Sequence, residues 1–187
     1  MNSYSSKLSV SNLFNFMKSI NMEIGKNTIS KILEYAKNVF FISLNYKYSR
    51  AFKIRMQSRK KVYLIDVGFT LLFKSLDDFG RLLEIVVHIE LLRRRERDPF
   101  KDIYYYQGKG EVDFLVTTNN VVTEVIQVCY EINESNIQRE IRSIDEAMSM
   151  FKVARGKIIT MYESPVDLKE KNIDVIPFYK WALEMST

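Results

Sequence analysis

Seven lysines and arginines stand between residues 47 and 61 with no acid among them: Lys47, Arg50, Lys53, Arg55, Arg59, Lys60 and Lys61. Cationic side chains at that density neutralise phosphates and release counterions, which gives affinity for a polyanion without reading its sequence. A different chemistry gathers downstream. Glu84 lies in the run LLEIVVHIELL, where nearly every neighbour is apolar, and His88 follows one helical turn later on the same face. A carboxylate in such surroundings needs a hydrogen bond, a cation or a metal ion to offset its lost hydration. His88 is the sole histidine, which excludes zinc sites built from several His or Cys. Cys129 is the sole cysteine, so it forms no internal disulfide, and it lacks the partner arrangement of a nucleophile; a buried strand position suits it better. None of the six glycines belongs to a GxxxxGK(S/T) run, so the chain holds no P-loop for a nucleoside triphosphate.

These groups sit on a chain of 187 residues, 47% hydrophobic and 27% charged, which is enough to bury one sizeable core or two small ones. With 6 Gly, 3 Pro and no internal period, it is neither a solenoid nor a linker. No apolar run approaches the roughly 20 residues of a membrane-spanning helix. The polar start Met1 to Leu8 and the single cysteine lead to the expectation of a cytoplasmic protein without a membrane partner. The charge is divided unevenly. Residues 1–61 carry 12 Lys or Arg against 2 acids, a charge of +10, whereas residues 62–187 carry 16 against 21, a charge of −5. That asymmetry predicts two modules, 1–61 and 62–187, with DNA as the natural partner of the first.

In the first module, Ser9 or Ser11 can cap a helix bearing Leu13, Phe16, Met17 and Ile20 at helical spacing. Asn27 can cap a second helix that buries Ile29, Ile32, Leu33 and Ala36 and turns Thr28, Ser30, Lys31 and Tyr35 outward. The β-branched and aromatic run Val39 to Tyr46 and the alternating run Ala51 to Met56 read as a hairpin. Helix, turn, helix, hairpin is the order of a winged helix. Its second helix would read bases through Thr28, Ser30, Lys31 and Tyr35, while Lys47, Arg50, Lys53 and Arg55 hold phosphates.

The second module opens with a short strand, Val62 to Ile65, and a turn at Asp66 to Gly68 leading into a helix. A largely buried helix follows from Arg81 to about Glu96. Three strands come next, Ile103 to Gln107, Glu111 to Thr117 and Val121 to Tyr130, then an amphipathic helix from about Ser135 to Val153. Strands Lys157 to Met161 and Ile173 to Ile176 precede a closing helix, Pro177 to Glu184. The whole is α+β, a mixed sheet with helices against it.

The runs LLEIVVHIELLRR, IYYYQGKGEVDFLV and VIQVCYEI and the helix beginning near IQREI resemble the domain found carboxy-terminal to archaeal P-loop ATPases of the AAA type. That domain has a PD-(D/E)XK, restriction-endonuclease-like fold, and a winged helix commonly precedes it. The resemblance implies a DNA-binding module that works with an ATPase domain or chain, on a nuclease fold that has lapsed. It implies a divalent-metal site, for which Mg2+ is the ion suited to hard oxygen ligands, at Glu84 on the helix, Asp113 on the first strand and Gln127 on the next. In the family pattern the third position is an acid, followed two residues later by lysine. Here IQVC places Gln127 and Cys129 there, which removes a negative charge and an ammonium. An active Mg-dependent endonuclease is therefore one alternative, and a protein-interaction module coupling an ATPase to its targets is another. Structural roles also suit these acids, since Glu84 can pair with Arg142, Arg139 or Lys109.

The hairpin register decides which side chains meet. With Thr118 to Asn120 as the loop, Asp113 pairs with Val125 and Gln127 lies diagonally beside it. With Asn119 and Asn120 alone in the turn, Asp113 faces Ile126 and Glu124 joins its face, restoring three acids.

Overall fold

The computed structural model describes residues 7–69 and 78–184, with the side chain of Leu8 left out. The expected start of a helix after Gly68 lies mostly outside the described residues. The chain divides into two compact units, Met1–Asp77 and Asp78–Thr187.

The first unit runs β1 (Lys7–Leu8), α1 (Val10–Ser19), α2 (Lys26–Asn38), β2 (Ile42–Lys47), α3 (Phe52–Gln57) and β3 (Lys60–Leu64). Ser9 caps α1, its hydroxyl accepting the Asn12 amide at 3.1 Å. β3 pairs antiparallel with β2, Leu44 opposite Val62, and with β1 on its other edge. The strand expected to open the second module therefore completes the sheet of the first.

Four other expectations change. The cap of α2 is Gly25 rather than Asn27. Of the four residues expected to be buried on α2 only Ile29 is; Leu33 and Ala36 are half-buried and Ile32 is exposed. The helix also runs on to Asn38, so β2 starts at Ile42 and not at Val39. Finally, the expected return strand Ala51 to Met56 is the helix α3. Its alternation of Phe52, Ile54 and Met56 mimics a half-buried strand, yet all three are exposed. β3 already pairs with the edge of β2 that the segment was expected to join, and Lys, Arg, Met and Gln are good helix formers. The Ser58 hydroxyl donates to the Ile54 carbonyl at 2.7 Å and closes the turn.

The second unit runs α4 (Phe79–Arg97), β4 (Lys101–Gln107), β5 (Glu111–Thr118), β6 (Val121–Val128), α5 (Ile137–Phe151), β7 (Gly156–Thr160), β8 (Ile173–Pro177) and α6 (Phe178–Leu183). Its strands lie in the order β4-β5-β6-β7-β8. The first three are antiparallel and β7 and β8 join in parallel, a mixed sheet flanked by helices, as the sequence predicts. Val112, Phe114, Leu115, Val125, Ile126, Ile158 and Ile159 form its fully buried centre.

The helices are fixed to this sheet by specific contacts. On α4, the buried His88 ring stacks on Phe114 with centroids 5.7 Å apart and planes 15° apart. α5 lies so close to β5 that a Cβ on Gly110 would come within 3.3 Å of the Ser143 backbone. Near the end of α4, the buried Arg94 pairs with Glu90 at 3.2 Å and lies 4.1 Å over the Trp181 ring. It also donates to the Trp181 carbonyl, which ties α6 down.

Candidate functional site

Two asparagines set the geometry of the site. Asn119 and Asn120 have φ of 50° and 63°, the left-handed pair of a two-residue hairpin turn, and Thr118 pairs with Val121. That is the second of the two turns considered from the sequence. The register then slips: Thr117 faces Val122 but Val116 faces Glu124, so Thr123 is an extra residue on β6. The Thr123 hydroxyl donates to the Val116 carbonyl at 3.3 Å and secures the bulge. Because of this one insertion, Phe114 pairs with Ile126 and Asp113 arrives beside Gln127. Glu124 lies across from Val116 instead, where it meets Lys157 at 2.7 Å. The bulge thus unites the pair expected from the first register while keeping the turn of the second.

Beyond Phe114 and Ile126 the two strands part, and side chains bridge the fork. The Asp113 amide donates to Gln127 Oε1 at 3.2 Å, and Asp113 Oδ2 accepts the Val128 amide at 3.0 Å. Asp113 is 9% exposed, so these bonds replace hydration that burial removes.

Cys129 follows two residues along and is buried. Its thiol donates to the Glu131 carbonyl at 3.2 Å, and Asn136 Nδ2 reaches the sulfur at 3.5 Å. Burial, reinforced by the nearby Glu140 carboxylate, pushes this thiol up to about 11. It stays protonated at neutral pH and is a poor nucleophile and a poor metal ligand.

Glu140 itself is buried on α5 and bonded by the Arg139 guanidinium at 2.6 Å and 3.0 Å. That bond is the main reason the guanidinium is held above its ordinary range. The sequence reading passed over Glu140. Its signal was available, since it stands one turn before Ile144 on the apolar stripe of α5, where an acid needs a partner.

Glu84 stands on a separate element, half-buried on α4, one turn before the His88 ring that stacks on Phe114. The structure thus joins Asp113 and Gln127 directly and places Glu84 on the helix packed against their strands. In the first unit, Thr28, Ser30, Lys31 and Tyr35 are all exposed on α2. Arg50 and Lys53 are exposed as well, Lys47 and Arg55 are half-buried, and Lys61 is buried.

The residues at the fork do not fit a magnesium ion. Among the described residues no three His, Cys, Asp or Glu side chains converge as a metal site would require. The Gln127 oxygen is turned onto a backbone amide, and Asp113 already accepts another. Glu124 is neutralised by Lys157, and a protonated thiol stands where the pattern has lysine. In this geometry the fork satisfies backbone groups where two strands diverge.

Among the described residues no helix is long and apolar enough to cross a membrane. A protein of Methanocaldococcus jannaschii described as uncharacterized is 35% identical over 191 residues, covering 98% of this chain and 42% of the relative. The chain therefore spans less than half the length of that relative. No solved structure matches it. Residues 79–181 match the family model described as a domain of unknown function, DUF4143, and that match runs from the start of α4 to the buried Trp181 of α6. More than half of the chain is covered, taking in every strand of the mixed sheet, and the chain belongs to the DUF4143 family.

Proposed function

We propose that the chain is a DNA-binding module whose second unit is a PD-(D/E)XK-like fold that no longer cuts. The observation that carries the binding half is the acid-free basic segment 47–61. Lys47, Arg50, Lys53 and Arg55 flank or sit on α3, which connects β2 to β3, the connection that a winged helix would use as its wing. Four cations on one short segment suit phosphate contacts, and the order of two helices and an antiparallel strand pair supports the winged-helix reading. The fork supports the other half, because Gln127 Oε1 and Asp113 Oδ2 each accept a backbone amide. The resemblance to modules that follow a P-loop ATPase supports an ATPase as working partner. The length of the relative leaves room for one.

The test is a gel shift and cleavage assay on duplex, branched and single-stranded DNA, with Mg2+, Mn2+ or chelator. The expected result is a shift without cleavage, insensitive to chelator. Replacing Lys47, Arg50, Lys53 and Arg55 together by Ala should flatten the dependence of log affinity on log salt by about 3 to 4 on duplex DNA. Metal-dependent cleavage that disappears in Asp113→Ala would replace this reading by that of an active nuclease. An unchanged salt slope would move the DNA contact elsewhere.

A further inference from the structure

Phe79, Tyr130 and Tyr162 form a row of touching rings on the surface of the second unit. Phe79 stacks on Tyr130 with centroids 5.4 Å apart and planes 29° apart, and Tyr162 meets Tyr130 at 5.9 Å with planes 79° apart. The row lies largely in water: Phe79 is 53% exposed and Tyr162 62%. Tyr130 and Tyr162 stand just past the carboxyl ends of the parallel strands β6 and β7, the end at which open sheets carry their ligands. They line a recess of about 90 Å3, together with Glu131, Ile132, Glu163 and Pro165. Pockets for drug-sized molecules run to roughly 300–1,000 Å3, so this one suits the head of a single side chain.

Its walls are fixed in advance. The Met161 amide donates to the Tyr130 carbonyl at 3.1 Å, the buried Thr160 hydroxyl to the Tyr162 carbonyl at 2.7 Å, and Asn136 Nδ2 to the Glu131 carbonyl at 2.8 Å. Walls that are already ordered lose little entropy when something binds. Charge then selects the occupant. Glu163 is met by Lys180 at 2.7 Å and by the Tyr179 hydroxyl at 2.6 Å. The Glu131 side chain is exposed, and no cation among the described residues pairs with it. Its carboxylate is close to the rings: the Tyr130 hydroxyl is held above its ordinary range chiefly by its hydrogen bond with Tyr162, and also by Glu131. Aromatic faces beside an unmatched carboxylate attract a cation and repel a phosphate.

We propose that this recess takes the guanidinium of an arginine presented by a partner polypeptide. A guanidinium is planar and stacks on an aromatic face while its fork of N–H groups bonds a carboxylate, here that of Glu131. An ammonium has no plane to stack, and a quaternary ammonium has no hydrogen to donate. The site lies within the second unit alone and is independent of DNA binding through the first.

The experiment uses the full chain with ring-labelled tyrosine, the NMR signals of Tyr130 and Tyr162 being assigned with Tyr130→Phe and Tyr162→Phe. The titrants are end-capped pentapeptides, Gly-Ser-X-Ser-Gly, in which X is arginine, lysine or citrulline, the neutral isostere of arginine. A thymidine dinucleotide is the fourth. The arginine peptide should shift both signals to saturation, the lysine peptide should bind more weakly, and the citrulline peptide and the dinucleotide should not bind. Glu131→Gln and Tyr162→Ser, read on the Tyr130 signal, should each weaken the arginine peptide about three- to fivefold. Both side chains are exposed, so circular dichroism should report an unchanged fold, and the gel shift with duplex DNA should be unchanged too.

Absence of a saturable shift with the arginine peptide overturns the proposal. So does equal binding of the citrulline peptide, which would make the recess a neutral contact, or of the lysine peptide, which would remove the guanidinium plane from the argument. Arginine binding that neither substitution weakens lies elsewhere and overturns it as well. Saturable shifts with the dinucleotide, or loss of DNA affinity in Tyr162→Ser, would assign the rings to nucleic acid instead.

Discussion

Two helices of similar length show how differently the two units are built. α2, thirteen residues long, buries Ile29 alone, whereas α5, fifteen residues long, buries Glu140, Ile141, Ser143, Ile144 and Ala147. Both are amphipathic by spacing, so periodicity alone would assign each a core face. α5 has three strands, β5, β6 and β7, to lie on, and most of its apolar stripe is consumed by its own unit. α2 packs on the shorter α1 and on β2, which cover one edge and leave the rest. The lesson is that an apolar stripe records a need for cover without recording who supplies it. α5 is covered by the sheet of its own unit, whereas α2 leaves most of its apolar residues at least partly exposed.

That contrast can be broken by asking where substitutions cost stability. Phe114→Ala removes a fully buried ring and its stack with His88, and should cost about 3–5 kcal/mol in urea unfolding followed by circular dichroism. A loss below about 1 kcal/mol would mean that the second unit is not the closed core described here. Asp113→Ala strips the fork of its acceptor for the Val128 amide and should cost about 1–3 kcal/mol. Asp113→Asn keeps an acceptor oxygen and should lose markedly less. If the two variants unfold together, the carboxylate charge matters more than the bond.

Cys129 sharpens the comparison through pH. Its thiol moves from an ordinary value of 9.0 to about 11 in the folded chain, chiefly by burial. Between those values the folded state binds more protons than the unfolded state, so ∂ΔG/∂pH is negative and stability declines. The contribution is fully present below pH 9 and is lost as pH rises through about 11. Cys129→Ser should lessen that alkaline loss in a denaturation series. Alkylation by iodoacetamide should also stay slow at neutral pH in the native protein and become fast in urea.

Smaller effects belong to the pair Lys157 and Glu124, about a quarter exposed on each side, where Lys157→Met should cost at most about 1 kcal/mol. Val39→Ser on α2 should fall within about 0.5 kcal/mol of the parent by thermal melt, since that side chain is mostly in water already. A larger loss there would show that α2 is covered within its own chain.

Much of the second unit was legible in advance because its signals agree with one another. The runs that became β5, β6 and α5 combine propensity, period and turn residues, and each was placed within two or three residues of its observed ends. The first unit was read less well where local signals conflict. Phe52, Ile54 and Met56 alternate like a strand, but the edge of β2 that they were expected to join is taken by β3, and the segment is helical. Gly25 capped α2 ahead of Asn27, a choice that depends on where the chain arrives from α1.

The sequence by itself determined the charge division, the absence of a P-loop in this chain, the mixed α+β order and the candidates Asp113 and Gln127. These follow from composition and from periods that each segment carries locally. Only the tertiary structure decided that Asp113 and Gln127 meet, because that depends on Thr123 bulging out of a ladder whose two strands are specified separately. It also decided that Glu124 belongs to Lys157, that Glu140 is buried while its partner Arg139 stays exposed, and that Ile32 and Val39 stay in the open. Each of these depends on what other parts of the chain bring against the segment, and a one-residue slip or a missing partner reverses the answer.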